Sequence, residues 1–295
     1  MEALDLTIVI PVRNEETNLP NCLAAIGRDL ARRVVVVDSD STDQTCQIAR
    51  TWGAEVVDFH WNGLFPKKRN WYLRNHRPDT RWVMFLDADE YLTPAFTTEL
   101  RQALSRTDKA GYWLSYTVYF MGKRLKGGYP LRKLALFRVG AGEYERIDED
   151  QWSRLDMEVH EHPVLDGEVG ILYSKIDHQD FRGVSHYVTK HNEYASWEAE
   201  RFMKATAEGQ VHGTWTWKQR LKYRLMRSPL IGPAYFFGSF FLMGGFRDGA
   251  RGLAFAILKM AYFTQVFCKI QEKSRRQTLA RPVMPALGQP VQVGS

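Results

Sequence analysis

The chain has 295 residues, of which 44% are hydrophobic and 13% aromatic, and its formal net charge at pH 7 is +6. A chain of this length and composition buries a full core, which excludes disorder over most of it. The positive charge suits an anionic partner such as a nucleotide, a phosphate or an acidic membrane surface. Three cysteines without a short spacing indicate neither a disulfide framework nor a thiolate zinc site, and they fit a reducing cytosol.

Strand and helix patterns alternate over the first hundred residues. The predicted strands are "LTIVIPV", "RVVVVDS", "EVVDFH" and "RWVMFLDA", and helical patterns lie between them. Runs such as "VVVV" are apolar at successive positions, as expected where helices cover both faces of a parallel sheet. The start, "MEALDLTIVIPV", lacks the features of a signal peptide, so we expect the first strand simply to begin there.

Two apolar blocks dominate the last quarter of the chain, after aromatic-rich strands from about residue 110 and a long helical pattern over 184–208. The blocks are "PLIGPAYFFGSFFLMGGF" and "LAFAILKMAYFTQVFC", separated by "RDGARG" and flanked outside by basic clusters. Each is shorter than the ~20 residues that cross a bilayer. The pattern predicts a monotopic helical hairpin in the cytosolic leaflet, and two helices docked on a soluble core are the alternative.

Polar residues follow three of the predicted strands, at the point where each strand ends. They are the stretches 13–15 ("RNE"), 38–41 ("DSDS") and 87–89 ("DAD"). Ligands in parallel sheets bind beyond the carboxyl ends of the strands, so these three ends are predicted to converge on one crevice.

The "DAD" stretch places Asp87 and Asp89 on one side of an extended segment. Two carboxylates so close together favour a hard divalent cation, which would also neutralise a diphosphate leaving group. The alternative is structural: Asp87 ends the strand, Asp89 makes a local turn, and Thr93 with the following proline caps the next helix. Glu90 is predicted only to begin that capping turn.

Other polar residues are candidates for the same crevice. Asp38 closes the second strand, and hydrogen bonding to the imide of a uracil-like base is one role for it. Arg13 and Glu15 leave the first strand just after Pro11, where contact with a ribose or base competes with a turn and helix start. Lys67 lies at a predicted helix start, where a cation opposes the helix dipole unless a phosphate binds nearby.

These blocks together resemble a known family. The stretches "IVIPVRNEETNLPNCLAAI", "VVVDSDSTDQT", "PKKRNW" and "MFLDADEYLTP" resemble the nucleotide-sugar-binding half of a family 2 glycosyltransferase with the GT-A fold. Downstream, "GKRLKGGYPLRKLALFR", "EVHEHP" and "GGFRDGARGLAFA" resemble the branch of the lipopolysaccharide core β-1,4-glucosyltransferases, to about residue 272. The resemblance implies inverting transfer of a sugar from a nucleoside diphosphate donor, usually a UDP-sugar, with a bound divalent cation, Mg²⁺ or Mn²⁺.

The resemblance also implies roles for individual residues. Asp89 would ligate the metal, and Asp87 would approach the ribose or the metal shell. The resemblance implies that Glu15, Asp38 and Lys67 contact the nucleoside. Together with Asp87, and with Pro11, Arg13 and Arg132 by their positions in the sequence, these are the residues expected to bind the donor. Arg132, together with Lys133, could clamp a phosphate or the acceptor, and ordinary surface exposure is the alternative.

An inverting transfer also requires a base that removes the proton of the acceptor hydroxyl. The concentrated polar stretch "DMEVHEHP" supplies the candidates. These candidates are Asp156, Glu158, His160, Glu161 and His162. The resemblance to the glucosyltransferase branch implies Glu161 as the base, with Glu158 and His160 as alternatives. A rival interpretation makes His160 and His162 a zinc pair with His178, which otherwise is structural or approaches the diphosphate.

We therefore predict an α/β protein with a GT-A (Rossmann-like) mixed sheet, helices on both faces, and a C-terminal helical membrane-associated hairpin. The regions expected are a nucleotide-sugar-binding half (1–109), an acceptor-binding and catalytic half (110–215), a membrane-associating helical region (216–275) and a flexible tail (276–295).

The predicted function is metal-dependent, inverting transfer of a sugar from a UDP-sugar to a membrane-anchored or lipid-linked glycan such as lipopolysaccharide core, by a peripheral or monotopic enzyme at the cytoplasmic face of the inner (plasma) membrane. Transfer to a polyprenyl phosphate, or a non-catalytic nucleotide-binding membrane scaffold, is the alternative. Nucleic acid is not an expected partner, because the basic residues concentrate beside the apolar blocks rather than on a recognition element.

Overall fold

The computed structural model describes residues 2–105, 107–128, 130–146, 155–157, 162–207 and 217–280. The strands within these ranges are β1 (Leu4–Val12), β2 (Ala31–Asp38), β3 (Glu55–Asp58), β4 (Trp82–Phe85), β5 (Glu90–Tyr91), β6 (Gly111–Phe120), β7 (Lys123–Arg124), β8 (Arg132–Arg138), β9 (Gly142–Tyr144), β10 (Pro163–Leu165) and β11 (Val169–His178). The α-helices are α1 (Leu19–Ile26), α2 (Thr45–Trp52), α3 (Lys68–Asn75), α4 (Pro94–Ser105), α5 (Gly183–Ala207), α6 (Trp217–Leu225), α7 (Ile231–Phe237) and α8 (Gly249–Ala280).

The main sheet is mixed, with the strand order β3-β2-β1-β4-β8-β6-β11-β5, and β7 pairs with β6. The strands β3, β2, β1 and β4 are parallel, whereas β8 is antiparallel to both of its neighbours, β4 and β6. A separate two-stranded sheet joins β9 and β10. The predicted fold class, a mixed α/β sheet flanked by helices, is confirmed.

Both faces of the parallel half are buried, as the unbroken apolar runs predicted. Ile8 and Ile10 of β1 belong to one core cluster, which includes residues of α1 and α4. Val9 of the same strand belongs to a second cluster with Val35 and Tyr72. Because successive side chains of a strand point to opposite faces, a strand covered on both sides must be apolar at consecutive positions.

The chain divides into two compact units. The first, Met1–Lys190 with Phe236–Leu258, contains the main sheet. The second, His191–Tyr235 with Lys259–Ser295, is helical in its described part, with a core of its own that includes Phe202, Tyr223, Phe263, Val266 and Ile270. The functional regions predicted from the sequence are a different division of the chain and stay a prediction.

The two predicted apolar blocks form helices of unequal length. The first lies in the short stretch Ile231–Leu242, where α7 continues into a π-helical turn, Gly238–Leu242. The second lies in α8, which follows a 3₁₀ turn at Gly245–Asp248. Within the described residues, Gly245–Arg276 is long and apolar enough to cross a membrane by length and composition alone.

Candidate active site

The polar stretches after β1, β2 and β4 lie at one edge of the sheet. The registers pair Val12 with Asp38 and Val9 with Phe85, so the carboxyl ends of three neighbouring parallel strands lie side by side. Ser39 N–H donates to the carbonyl of Val12 (3.1 Å), and Leu86 N–H donates to that of Val9 (3.0 Å). The predicted convergence of the strand ends is therefore present.

Asp38 carries a buried carboxylate oxygen that the described residues leave without a partner. The residue is 5% exposed, and its Oδ2 accepts a hydrogen bond from Ser41 N–H (3.0 Å). Its Oδ1 is buried and has no hydrogen-bond partner among the described residues. Leaving such an oxygen unsatisfied costs about 1–3 kcal/mol, so the geometry favours a donor supplied by a ligand.

Glu15 is held in place by one neighbouring residue and one distant residue. Its Oε1 accepts from Arg182 Nη1 (2.8 Å), and its Oε2 accepts from Asn18 Nδ2 (2.9 Å). Burial raises the pKa of Glu15 to about 7, although the guanidinium of Arg182 opposes this rise. Of the neighbouring predicted residues, Pro11 is buried within β1 and Arg13 is exposed.

The start of α3 carries two buried lysines. Lys67 is 4% exposed and Lys68 is 2% exposed. Lys68 Nζ donates to the carbonyl of Val12 (2.9 Å) and lies 3.2 Å from Asp156 Oδ2. Burial lowers the pKa of Lys68, while Asp156 opposes this effect. Lys68 therefore ties the end of β1 to Asp156, in the polar stretch from which the candidate bases come.

Lys133 brings positive charge to the acidic stretch that follows β4. Its Nζ donates to Asp87 Oδ2 (2.6 Å) and to Glu90 Oε1 (2.5 Å). Arg69 Nη2 donates to the other oxygen of Asp87 (2.7 Å). Burial by itself would raise the pKa of Asp87, but Lys133 and Arg69 outweigh it and hold that pKa below its usual range.

Glu90 does more than begin a capping turn, so the sequence interpretation of this residue was wrong. It is 1% exposed, and its Oε2 accepts from the backbone N–H of Asp87 (3.1 Å) and from the hydroxyl of Tyr116 (3.3 Å). The partners Lys133 and Tyr116 come from β8 and β6. Because both strands lie far along the chain from Glu90, no local pattern indicated them.

Asp89 lies beside His178, the last residue of β11. Asp89 is 5% exposed, and its Oδ2 is 3.5 Å from His178 Nε2. The register that pairs His178 with Glu90 across β11 and β5 brings the histidine to this position. Burial would lower the pKa of His178, but the Asp89 carboxylate outweighs it and raises that pKa.

The donor set at Asp89 fits a divalent cation that is held only partly by protein. A carboxylate and an imidazole lie within 3.5 Å, whereas both oxygens of Asp87 already accept from cationic side chains. Residues 2–105, 107–128, 130–146, 155–157, 162–207 and 217–280 contain no group of three or more His, Cys, Asp or Glu residues that could hold a metal ion. The Asp89 carboxylate suits Mg²⁺ or Mn²⁺, for which substrate phosphates and water would complete the coordination, whereas an imidazole ligand is more typical of Zn²⁺.

The remaining predicted site residues fall into two groups. The candidate bases Glu158, His160 and Glu161 lie outside the described residues. His160 is also one of the two histidines of the predicted zinc pair. Arg132 begins β8 and is exposed, whereas its neighbour Lys133 contacts Asp87. The alternation of a strand explains this difference, because adjacent side chains point to opposite faces.

Removing the Lys133 ammonium should destabilise the protein. Lys133→Met leaves Glu90 buried without its cation, and we expect the free energy of unfolding to fall by about 2–4 kcal/mol in chemical denaturation. Arg132→Met is the matched control. Because Arg132 is exposed, we expect a change within about 0.5 kcal/mol, and an equal effect of both variants would contradict a structural role for the Lys133 contacts.

Buried carboxylates and cations at the carboxyl edge of an α/β sheet are typical of an enzyme that binds a phosphorylated nucleotide. Residues 7–156 match the model of the family described as glycosyl transferase family 2. The chain belongs to this family, and it is accordingly a glycosyltransferase.

Several curated proteins are similar to this chain over different lengths. A TPR repeat-containing protein of Synechococcus elongatus is 33% identical over 107 residues, which are 36% of this chain and 26% of that protein. An uncharacterized glycosyltransferase of Rickettsia conorii is 24% identical over 259 residues, which are 86% of this chain and 85% of that protein. A 4,4'-diaponeurosporenoate glycosyltransferase of Staphylococcus aureus is 29% identical over 154 residues, 49% of this chain and 40% of that protein.

Among solved structures, the mannosyltransferase PcManGT of Pyrobaculum calidifontis, in complex with GDP-Man and Mn²⁺, is 16% identical with a TM-score of 0.49. That match covers 91% of this chain and 87% of the other. TarS 1–349 of S. aureus is 15% identical with a TM-score of 0.44, and the match covers 94% and 92% of the two chains.

Proposed function

We propose that this protein is an inverting, metal-dependent glycosyltransferase that moves a sugar from a UDP-sugar to a hydroxyl of a membrane-anchored glycan, such as lipopolysaccharide core. The observation that carries the proposal is the buried, unpartnered Asp38 Oδ1 at the same sheet edge as Asp87 and Asp89. A pyrimidine imide and a diphosphate are the groups that such an edge would receive together.

The nucleoside would bind at the ends of β1 and β2. The imide N–H of a uracil base would donate to Asp38 Oδ1, which satisfies the oxygen that the described residues leave without a donor. Glu15, Lys67, Pro11 and Arg13 would line the base and ribose. The ion pair between Glu15 and Arg182 supports this placement, because it holds the turn after β1 in one position.

The diphosphate would bind next to Asp89. Asp89 and His178 would hold a divalent cation, Mg²⁺ or Mn²⁺, which when bound neutralises the charge that develops on the leaving diphosphate. The neighbouring ammonium of Lys133 and guanidinium of Arg69 add fixed positive charge, and Asp87 orients both groups.

Inversion at the sugar would be completed by a base on the acceptor side. Glu161 is the proposed base, with Glu158 and His160 as the other candidates, and it would take the proton of the attacking hydroxyl. The support is chemical: the polar stretch that contains these residues is joined through Asp156 to Lys68, at the end of β1.

The acceptor is proposed to carry a lipid, and the enzyme to lie at the cytoplasmic face of the inner membrane. The apolar stretch Ile231–Leu242 and the apolar α8 support this location. The basic residues around them suit an anionic leaflet.

A screen of UDP-sugars tests the proposed function. We expect the purified protein to hydrolyse one UDP-sugar slowly in the presence of Mn²⁺ or Mg²⁺, and to transfer its sugar to glycolipid acceptors identified by mass spectrometry. If a lipid-linked monosaccharide forms from the UDP-sugar and polyprenyl phosphate alone, the acceptor is a polyprenyl phosphate rather than a glycan. Absence of both hydrolysis and transfer with all UDP-sugars would overturn the proposal.

Asp38→Ala should weaken binding of UDP by about tenfold to a hundredfold in titration calorimetry, since one hydrogen bond to a charged group is lost. Asp40→Ala is the matched control, because Asp40 is exposed and its carboxylate contacts His60 instead. If both variants bind UDP with equal affinity, Asp38 does not contact the nucleotide.

A further inference from the structure

A continuous stretch of the first unit exposes large apolar side chains around the junction of α7 and α8. Leu242 is 87% exposed, and Phe237, Phe241 and Phe246 are each half exposed or more. We call this surface the aromatic face, and its residues are Phe237, Phe241, Leu242, Met243, Phe246, Leu253 and Ile257. Soluble monomers seldom expose so many large apolar side chains together unless a partner covers them.

The loop before β8 contacts the turn that carries the aromatic face. The carboxylate of Asp248 accepts from the backbone N–H of Lys126 (2.9 and 3.0 Å) and of Gly127 (2.9 Å). A Cβ on Gly127 would lie 2.3 Å from the carbonyl oxygen of Gly244, so the two backbones pack as closely as glycine allows. The apolar side chains therefore project from an anchored turn of the sheet-containing unit.

The start of α8 is anchored in the same way. A Cβ on Gly252 would lie 1.9 Å from the carbonyl oxygen of Gly245, and the ring of Phe255 packs on Phe120 at the end of β6 (centroids 5.1 Å apart). Leu253 and Ile257 remain exposed beside these buried contacts. The first turns of α8 thus bury one side within the first unit and expose the other side to solvent.

Positively charged side chains predominate around the aromatic face. Between Ser228 and Gln271 the chain contains a single acidic residue, Asp248, whose carboxylate already accepts from backbone amides. Arg247 is exposed and Arg251 is partly exposed. An apolar, aromatic surface bordered by arginines complements the headgroup region of an anionic bilayer, where aromatic rings lie at the boundary and arginines pair with phosphates.

The packing of α8 argues for lying on the bilayer rather than crossing it. Farther along the helix, Phe263, Val266 and Ile270 are buried in the core of the second unit, together with Ala199 and Phe202. A helix that crossed the bilayer would have to give up these contacts. The apolar side chains of the aromatic face, in contrast, can enter the interfacial layer without any rearrangement of the fold.

We propose that the aromatic face is a bilayer-docking surface, which inserts Phe237, Phe241, Leu242 and Phe246 into the interfacial layer of an anionic leaflet without spanning it. This inference rests on the membrane location in the proposed function and assigns the surface that makes the contact, while docking itself requires neither a donor sugar nor turnover. Since Gly127 belongs to the loop that leads into β8, docking would also fix the strand that carries Lys133 relative to the membrane surface.

Co-sedimentation of the full chain with vesicles tests the docking surface. We expect binding to phosphatidylcholine vesicles to increase when phosphatidylglycerol is included, and the double variant Phe241→Ser, Leu242→Ser to reduce partitioning by about tenfold or more. Tyr173→Ser is the matched control, because Tyr173 is 68% exposed but lies on β11, and its partitioning should be unchanged.

Three outcomes would overturn the docking surface: no binding of the unmodified chain, equal binding of the double variant, or equal losses in Tyr173→Ser. Light scattering tests whether the aromatic face is instead an interface between two copies of the chain. If the unmodified chain is a dimer and the double variant is a monomer, the face binds a second copy rather than a bilayer. Thermal unfolding and UDP binding check that each variant is folded. Loss of vesicle binding with UDP-sugar hydrolysis intact distinguishes failure of docking from failure of the proposed function.

Discussion

Asp89→Ala is expected to reduce sugar transfer by on the order of 10³-fold or more, which is the largest effect of any single change at the sheet edge. The residue is buried beside His178, and both oxygens of the neighbouring Asp87 are engaged by Arg69 and Lys133. Asp89 is therefore the carboxylate that we propose to hold a cation at the diphosphate. The measurement is the transfer rate at saturating UDP-sugar and Mn²⁺.

A binding readout keeps this prediction separate from a loss of fold. Electron paramagnetic resonance should detect Mn²⁺ held by the unmodified chain in the presence of UDP, and Asp89→Ala should lose that signal. Asp40→Ala is the control, since Asp40 is an exposed carboxylate, and it should keep both the signal and the activity. Full activity of the unmodified chain in excess chelator would remove the metal from the mechanism.

Glu161→Gln is expected to reduce the transfer rate by about 10²- to 10⁴-fold, because an amide cannot take the proton of the acceptor hydroxyl. Binding of UDP and Mn²⁺ should not change, since the base acts on the acceptor. The measurement is kcat for transfer together with the Kd for UDP, so that a loss confined to kcat marks a group that acts in the chemical step.

The matched control for this base is Glu158→Gln, three residues earlier in the same stretch. We expect it to retain most of the activity. If Glu158→Gln is inactive and Glu161→Gln is not, the base is Glu158. If neither Glu158→Gln, Glu161→Gln nor His160→Gln changes transfer or hydrolysis, the stretch "DMEVHEHP" contains no base.

Most of the parallel half of the fold was predictable because its signals are local. Apolar runs such as Val34–Val37, separated by helical patterns, predicted buried parallel strands, and β1 to β4 follow that prediction. The polar residues after each run predicted a shared edge, and Asp38 and Asp89 both lie there. Their positions could be predicted because both residues lie close to the end of a strand. The conformation of a strand and of the turn after it depends on neighbouring residues.

The partners of these residues could not be predicted in the same way. Lys133 reaches Asp87 because β8 runs antiparallel beside β4, and Arg182 reaches Glu15 across 167 positions of the chain. A signal for Lys133 existed in "RKLALFR", where strand alternation places one of the two basic residues on a buried face. The pattern did not say which face was buried, so Arg132 was chosen as the binding residue and Glu90 was left without a partner.

The sequence by itself determined the order of strands and helices, the polar strand ends and the apolar C-terminal segments, because periodicity and turn chemistry depend on residues a few positions apart. Only the tertiary structure decided that Lys133 and Arg69 share Asp87, that Asp89 lies beside His178, and that the aromatic face is anchored by Asp248 to the loop before β8. These contacts depend on strand order, register and burial, which join residues far apart in the chain and which no local pattern encodes.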